Sequence, residues 1–392
     1  MKRVAVLGGG PAGAFAAAEL ASAGLDTIVL DEKLAWEKPC GGGLTYKAYN
    51  RYPFLMQNDT PKKRILQTVL AAPGVGGVTL KLNEPLLIYS RFDLNRLLLE
   101  RAERAGAQIE KTRVQNIERR SNGWRLKTKS GSLDADFCVV ATGARNPLRE
   151  VGTELSAQDT MSALGYYVPG ERDQIDVQFL PNLHGYIWVF PRCGHLSVGI
   201  CGKGEPAHAL RARLERYMAE KGISSKGASF YSHVLPSLET RGWKRNRIAG
   251  DGWMAVGDAA GLVDPITGEG LYYAMRSGDL AAQALLADSA AAEKQQAYRR
   301  LLRKDFSADL EFSSRLAKRI FLGRFLLGPV PSRMVQFTRR SPRFSSLMQD
   351  LFAGTQSYLG LKRRLLDNLS GSLYEIAMSF GLSRLLPGGS RT

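Results

Sequence analysis

Apolar residues follow two rhythms along this chain. Short unbroken runs at Val4–Leu7, Thr27–Leu30 and Val139-Val140 are the length of strands and lack alternation, the pattern of strands buried on both faces of a parallel sheet. Alternating stretches near 64–90 and 160–205 predict half-buried strands of a second sheet, with a turn at Pro73-Gly-Val-Gly-Gly77. Between these lie helical patterns: an Ala-rich stretch from Pro11 to about Ala23, a segment at 91–105, and Arg211–Lys221, which is followed by a strand at Ser225–Ser232. Residues 292–392 predict helices broken by Gly328-Pro329 and Pro331.

Two glycine-rich segments sit where these rhythms change. The first strand runs into Gly8-Gly9-Gly10-Pro11-Ala12-Gly13 and then a helix. In that order Gly8 permits the tight turn, Gly10 lets a pyrophosphate approach the backbone, and Gly13 lets helix pack on strand, with Pro11 and Ala12 in the first helical turn. The second strand ends in Asp31-Glu32, about twenty residues on, where Asp31 is placed to hold an adenosine ribose. The other segment, Val256-Gly-Asp258-Ala-Ala-Gly-Leu-Val-Asp-Pro265-Ile-Thr-Gly268-Glu-Gly270-Leu271, reads as strand, acidic turn and Pro/Gly loop opening a helix. Asp258 suits a ribityl hydroxyl, and Pro265, Gly268, Gly270 and Leu271 bring backbone N–H groups close to a flat ring. A nicotinamide dehydrogenase has no need of this second segment, so the pair points to FAD.

The chain resembles the glutathione-reductase-like flavoproteins of the hydroxylase branch and, within it, the geranylgeranyl reductase family. The resemblance covers roughly residues 1–300 and rests on Lys38-Pro-Cys40-Gly41-Gly-Gly43-Leu44, on Gly185-Tyr186-Ile-Trp188-Val-Phe190-Pro191, and on Gly257-Asp258 through Gly270. Arg91, Leu94 and Leu98 match the branch motif R-x-x-L-D-x-x-L, with Asn95 at the acidic position, and Ala141-Thr142-Gly143 stands where hydroxylases carry Asp-Gly. The implied fold is α/β: a discontinuous Rossmann-type FAD-binding domain (1–70, 90–155, 245–300), an inserted antiparallel-sheet substrate domain (71–89, 156–244) and a C-terminal helical, basic region (301–392).

The resemblance implies reduction of isolated double bonds in a polyprenyl, geranylgeranyl-type lipid by hydride from reduced flavin plus a proton. Cys40, Gly41, Gly43 and Arg91 are then expected at the flavin. Cys40, Tyr186 and Trp188 are the expected catalytic residues, with Tyr186, Trp188 and Phe190 on one strand face as an apolar wall. The rival reading is a flavin-dependent monooxygenase or halogenase acting on an aromatic or lipophilic substrate, for which Lys38 is the nearby lysine; a third is a flavin-carrying membrane partner without activity. The electron donor stays open between NAD(P)H and a ferredoxin-like protein, for no second strand-linked G-x-G-x-x-G supplies a nicotinamide domain.

Composition narrows the setting. Four cysteines (40, 138, 193, 201) show no C-x-x-C spacing, which points to a reducing, cytoplasmic compartment, and His and Cys lack metal-ligand spacing. No apolar run reaches the roughly 18–20 residues of a membrane span. The net charge is +17, and residues 301–392 alone hold 15 Lys/Arg against 6 Asp/Glu, interleaved with Ile320-Phe-Leu, Phe325-Leu-Leu and Tyr358-Leu. That mixture suits peripheral contact with an anionic membrane. No nucleic-acid fold signature accompanies the charge.

Overall fold

Strand Arg3–Leu7 is the axis of the first sheet, and its side chains from Val4 to Leu7 are at most 2% exposed because helix Pro11–Ser22 packs on it and so does a separate three-stranded sheet, Val114–Arg120, Gly123–Thr128 and Gly131–Ala135, which shares its core. The computed structural model describes residues 3–365 apart from 289 and 362, so the helices expected beyond 365 lie outside the described residues. Asp26–Leu30 and Phe137–Val140 flank the axis in parallel register, Gln108–Glu110 and Trp253–Ala255 extend the sheet in parallel, and Ala249–Gly250 adds an antiparallel edge. Helix Pro11–Ser22 starts with proline at its first turn and is almost wholly buried. It packs between helices Arg91–Arg104 and Leu271–Leu286. The second contact is close: a Cβ on Gly278 would stand 2.3 Å from the Ala12 carbonyl oxygen. Small residues on both helices thus bring the N-terminal glycines beside the Gly257–Leu271 segment.

The second sheet has eight strands in the order Ser229–Pro236, Thr160–Pro169, His195–Gly202, Gly185–Pro191, Ile175–Phe179, Lys62–Ala72, Gly76–Tyr89 and Gly43–Leu44. It is antiparallel except where Ile175–Phe179 runs parallel to Lys62–Ala72. The two-residue period of Gly185–Pro191 sorts its side chains. Ile187 and Val189 pack toward helix Ala207–Glu220, while Tyr186, Trp188 and Phe190 share the other face. Helices Ala308–Leu322, Val330–Arg340 and Pro342–Ala353 close over the far strands of this sheet and bury a layer that includes Leu80, Leu82, Phe179, Phe321, Val335 and Leu347.

Four local expectations shift. Strand Lys62–Ala72 belongs wholly to the eight-stranded sheet, so that sheet starts before residue 70. The expected helix Arg211–Lys221 is Ala207–Glu220, because Pro206 supplies its start. The strand expected at Ser225–Ser232 is displaced to Ser229–Pro236, since Ala228 N–H closes a turn on the Ser225 carbonyl and Gly227 sits at φ +74°. Gly328-Pro329 does not merely interrupt a helix: it pairs with Arg324–Phe325 in a β-hairpin, after which Pro331 sits within the first turn of helix Val330–Arg340.

Candidate active site

The N-terminal fingerprint is built as its glycines require. Gly8 holds φ +116°, and a Cβ at Gly13 would stand 1.9 Å from the Gly8 carbonyl oxygen. By contrast, a Cβ at Gly10 would meet nothing within 4 Å, so open space lies before the N-terminus of helix Pro11–Ser22. Asp31 stands across the turn, its carboxylate accepting from Gly9 N–H at 2.6 Å, Lys33 N–H at 2.7 Å and Leu34 N–H at 2.9 Å. Asp31 therefore shapes the fingerprint turn itself.

The Cys40 loop is pinned from the second sheet. Arg192, fully buried, pairs with Glu37 and donates to the Cys40 and Gly41 carbonyls, and its guanidinium lies over the Tyr167 ring. Glu37 in turn accepts from Ser90 Oγ and from the Arg91 and Phe92 N–H groups, capping helix Arg91–Arg104. Burial works against its charge, yet Arg192 and these donors hold the Glu37 carboxyl below the usual range. Ser197 Oγ donates to the Cys40 carbonyl at 3.1 Å, and the Phe190 ring lies where a Cβ on Gly41 or Gly43 would be only 3.1 Å away. The Cys40 sulfur accepts from Gly42 N–H at 3.3 Å. Trp188, 7% exposed, points its indole N–H at Ser197 Oγ (3.4 Å), and Ser197 and Tyr231 share a 2.9 Å hydrogen bond.

On the other side Asp258 pairs with Lys38 at 2.9 Å, joining the acidic turn to the Cys40 loop. Burial opposes its charge, but Lys38, His233 and Arg91 hold the Asp258 carboxyl below its ordinary value. His233 is pushed down to about 4, by burial first and Lys38 second, and its Nε2 has no hydrogen-bond partner among the described residues. Arg91 donates to Asn95, which fills the acidic position of the motif with a neutral acceptor, while Arg91 Nε is buried without a partner among the described residues. In the following loop Asp264 accepts from Ile266 N–H, Thr267 Oγ1 and Tyr358 Oη. Glu269 accepts from Thr45 Oγ1 at 3.1 Å, and burial pushes its carboxyl up to about 7. Tyr186 Oη donates to the Thr267 carbonyl, beside Gly268. Pro265, Gly268, Gly270 and Leu271 accordingly form one loop and helix start between Tyr186 and Asp258.

These residues fit a flavin dinucleotide. The open space before Gly10, the unpartnered Arg91 Nε and His233 Nε2, and the cations around Asp258 suit a pyrophosphate and its hydroxyl-bearing neighbours. Sequence reasoning missed Glu37, Arg192, Ser197, Tyr231, His233 and Glu269, whose partners are distant in sequence.

Asp258 and Asp31 are expected to separate in mutagenesis. Asp258→Ala leaves Lys38 without its partner, so it should destabilise the FAD-free fold and also weaken FAD binding by about 5–150-fold, a loss of affinity larger than that of Asp31→Ala. Asp31→Ala strands three N–H groups and should cost the FAD-free fold about 1–3 kcal/mol. Flavin titration and denaturant unfolding of FAD-free protein measure both, and wild-type FAD affinity in Asp258→Ala would remove Asp258 from the site.

Residues 90–290, half of the chain, match the family described as FAD dependent oxidoreductase, and residues 2–152 match pyridine nucleotide-disulphide oxidoreductase. The chloroplastic geranylgeranyl diphosphate reductase of Oryza sativa subsp. japonica is 30% identical over 327 residues, covering 74% of this chain and 67% of that protein. A menaquinone reductase of Mycolicibacterium smegmatis is 28% identical over 365 residues, 84% of this chain and 88% of that one. Among solved structures, a geranylgeranyl bacteriochlorophyll reductase-like protein of Thermoplasma acidophilum aligns with a TM-score of 0.76 at 24% identity over 94% of this chain and 99% of that one. A flavin-dependent brominase aligns with 0.69 at 17% identity, over 95% and 99%. At those identities the structural likeness speaks for the fold alone. FAD is the cofactor.

Proposed function

We propose that this chain, which belongs to the geranylgeranyl reductase family of FAD-dependent oxidoreductases, saturates isolated double bonds in the polyprenyl chain of a geranylgeranyl-type lipid. The observation that carries this reading is the aromatic face of strand Gly185–Pro191. Phe190 packs on the Cys40–Gly43 loop, Tyr186 reaches the Thr267–Gly268 loop, and the Tyr186 ring stacks toward Phe321 at 6.4 Å. An apolar wall thus runs from the flavin loops to the layer under the C-terminal helices, as a long hydrocarbon substrate requires.

Reduced FAD, when bound, supplies the hydride. The protein's own residues do the rest. Cys40 and Phe190 keep the hydride-accepting side of the site narrow, Trp188 and Tyr186 exclude water from the alkene, and the Arg192–Glu37 pair holds the loop that carries Cys40. A trialkyl alkene also needs a proton, and Glu269, whose carboxyl stays protonated up to about pH 7, is the acid in the flavin loop suited to holding it at a carboxyl oxygen. Lys38, the lysine available to a halogenase reading, is committed to Asp258.

Anaerobic incubation with dithionite and a geranylgeranyl lipid should add mass in steps of two hydrogens. Diphosphate- and quinone-headed substrates run in parallel identify the head group. Trp188→Ala should lose turnover while retaining FAD, and Cys40→Ser with FAD retained should lose turnover if the sulfur touches flavin or substrate. Oxygen-dependent hydroxylation or halogenation of an aromatic compound, with no alkene reduced across such lipids, would replace this reading with its rival.

A further inference from the structure

The hairpin that joins helix Ala308–Leu322 to helix Val330–Arg340 has no role in the site described above, and its composition is unusual for a solvent-facing turn. Arg324–Phe325 pairs with Gly328–Pro329, leaving Leu326 and Leu327 at the tip with φ +45° and +62°. Tips of this kind favour asparagine and glycine, because L side chains rarely adopt positive φ, and a β-turn in water favours polar residues. Here two consecutive leucines occupy it. Leu327 is 93% exposed, Leu326 52%, Phe325 46% and Leu322 43%. Four of the ten exposed large apolar side chains among the described residues therefore fall within six positions. Scattered exposed leucines need no explanation, but a contiguous protruding cluster does.

The charge around this tip has one sign. Residues 312–349 contain eight Lys/Arg and no Asp or Glu. Arg324 donates to the Leu327 carbonyl, Arg333 to the Phe325 and Leu326 carbonyls, and Arg339 to the Val75 and Gly77 carbonyls. These bonds stiffen the hairpin and its support, and among the described residues Arg324, Arg333 and Arg339 donate to carbonyl and amide oxygens rather than to a carboxylate. At its base the hairpin connects to the buried layer on two sides. Phe325 meets Phe337, which meets Phe344, with ring centroids 6.2 and 5.6 Å apart. Phe321, adjoining Leu322, packs against Tyr186 and His184. No helix among the described residues is long and apolar enough to cross a membrane.

We propose that the Leu322–Leu327 hairpin inserts its apolar tip into the acyl boundary of an anionic lipid bilayer while the surrounding arginines and Lys318 meet the lipid head groups. Apolar burial and head-group attraction act together in this arrangement, as in other surface-bound amphipathic elements. Insertion would turn the layer beneath the C-terminal helices toward the bilayer, so that a lipid tail passes from the membrane along Phe321 to Tyr186. That last step rests on the prenyl-lipid reading above; the insertion itself does not.

The test is flotation of the full-length, FAD-loaded protein with vesicles of phosphatidylcholine alone and of phosphatidylcholine with 30% phosphatidylglycerol, across a salt series. Wild-type protein should bind the anionic vesicles at least tenfold better, with binding weakened by salt. Leu326→Asp/Leu327→Asp, at exposed positions outside the core, should retain FAD and lose at least tenfold in vesicle binding. Arg324→Gln/Lys318→Gln should flatten the salt dependence. Unchanged flotation of the double aspartate variant, no flotation of wild type, or equal binding to neutral vesicles would overturn the proposal. So would a dimer in solution that the aspartates convert to monomer without any effect on vesicles. Detergent-dispersed substrate separates the two readings: normal alkene reduction there by a variant that no longer floats supports both, and flotation without reduction of any prenyl lipid defeats the activity alone.

Discussion

Arg192→Ala is expected to destabilise the protein by about 3 kcal/mol and to weaken FAD binding tenfold or more. The side chain is completely buried and makes its polar contacts to one loop, pairing with Glu37 and donating to the Cys40 and Gly41 carbonyls. Removing one member of a buried pair leaves its partner uncompensated, and typical losses are about 3–5 kcal/mol. Here Glu37 keeps its hydrogen bonds from Ser90, Arg91 and Phe92 and is 30% exposed, which places the effect at the low end. The loss of FAD affinity has a separate origin. Glu37 precedes Lys38, the partner of Asp258, so a loosened loop disturbs the Cys40 segment and the acidic turn together. Arg192→Lys keeps the charge but replaces the planar fork with a point donor, and should recover only part of either property. Denaturant unfolding and flavin titration check this. Wild-type values for both in Arg192→Ala would mean that the loop is held by its glycines and Phe190 rather than by this pair.

This pair also marks the limit of what the sequence discloses. The fingerprint at Gly8–Gly13 and the acid at Asp31 are local: a strand, a turn and a helix impose their spacing, so pattern alone places them, and the fold shows the crowding at Gly13 and the open space before Gly10 that the pattern demands. The alternation of Tyr186, Trp188 and Phe190 on one face is equally local. Glu37–Arg192, Thr45–Glu269 and Asp264–Tyr358 are not, for each joins positions far apart along the chain through the stacking of one sheet or helix on another. The available signals were weak: an arginine directly after an apolar strand at Phe190-Pro191, and a lone glutamate between the glycines of the flavin loop. Asp31 shows the converse. Its position was legible, but its bond from Gly9 N–H of the fingerprint turn, with two more from Lys33 and Leu34 N–H in its own loop, gives it a structural duty that a ribose-binding motif does not announce. The hairpin at Arg324–Pro329 was legible only as a break, because a Gly-Pro pair signals an interruption without specifying what replaces the helix.

Glu269→Gln is expected to leave stability nearly unchanged at pH 4 and to raise it, relative to wild type, by on the order of 3 kcal/mol at pH 8 in FAD-free protein. Burial pushes the Glu269 carboxyl up to about 7 from an ordinary value of 4.5, with Lys47 opposing and Asp264 reinforcing the shift. Below the ordinary value both folded and unfolded chains hold the proton. Between there and about 7 the folded chain keeps a proton that the unfolded chain has released, so the stability contributed by protonated Glu269 is lost as pH rises. Glutamine mimics the protonated carboxyl and removes that loss. His184 and His233 act with the opposite sign: both are held to about 4, so their contribution grows as pH rises toward the ordinary histidine value. The wild-type profile mixes the two, and the difference between wild type and variant isolates Glu269. Unfolding at a series of pH values reads it out, and a difference that does not change between pH 4 and 8 would show that the carboxyl titrates normally. Turnover provides a second reading of the same group. Glu269 lines a cavity of about 250 Å³ with Lys47, Asp264, Asp309 and Gln356, a polar space through which water can reach its carboxyl behind the flavin loop. If Glu269 holds the proton for the alkene, alkene reduction in wild type should fall as pH rises past about 7, and Glu269→Gln, which keeps the hydrogen bond from Thr45 but cannot release a proton, should be slow at every pH while still binding FAD. A variant with the wild-type rate and pH profile would leave Glu269 as a structural acid and move the search for the proton donor to the Cys40 side of the site.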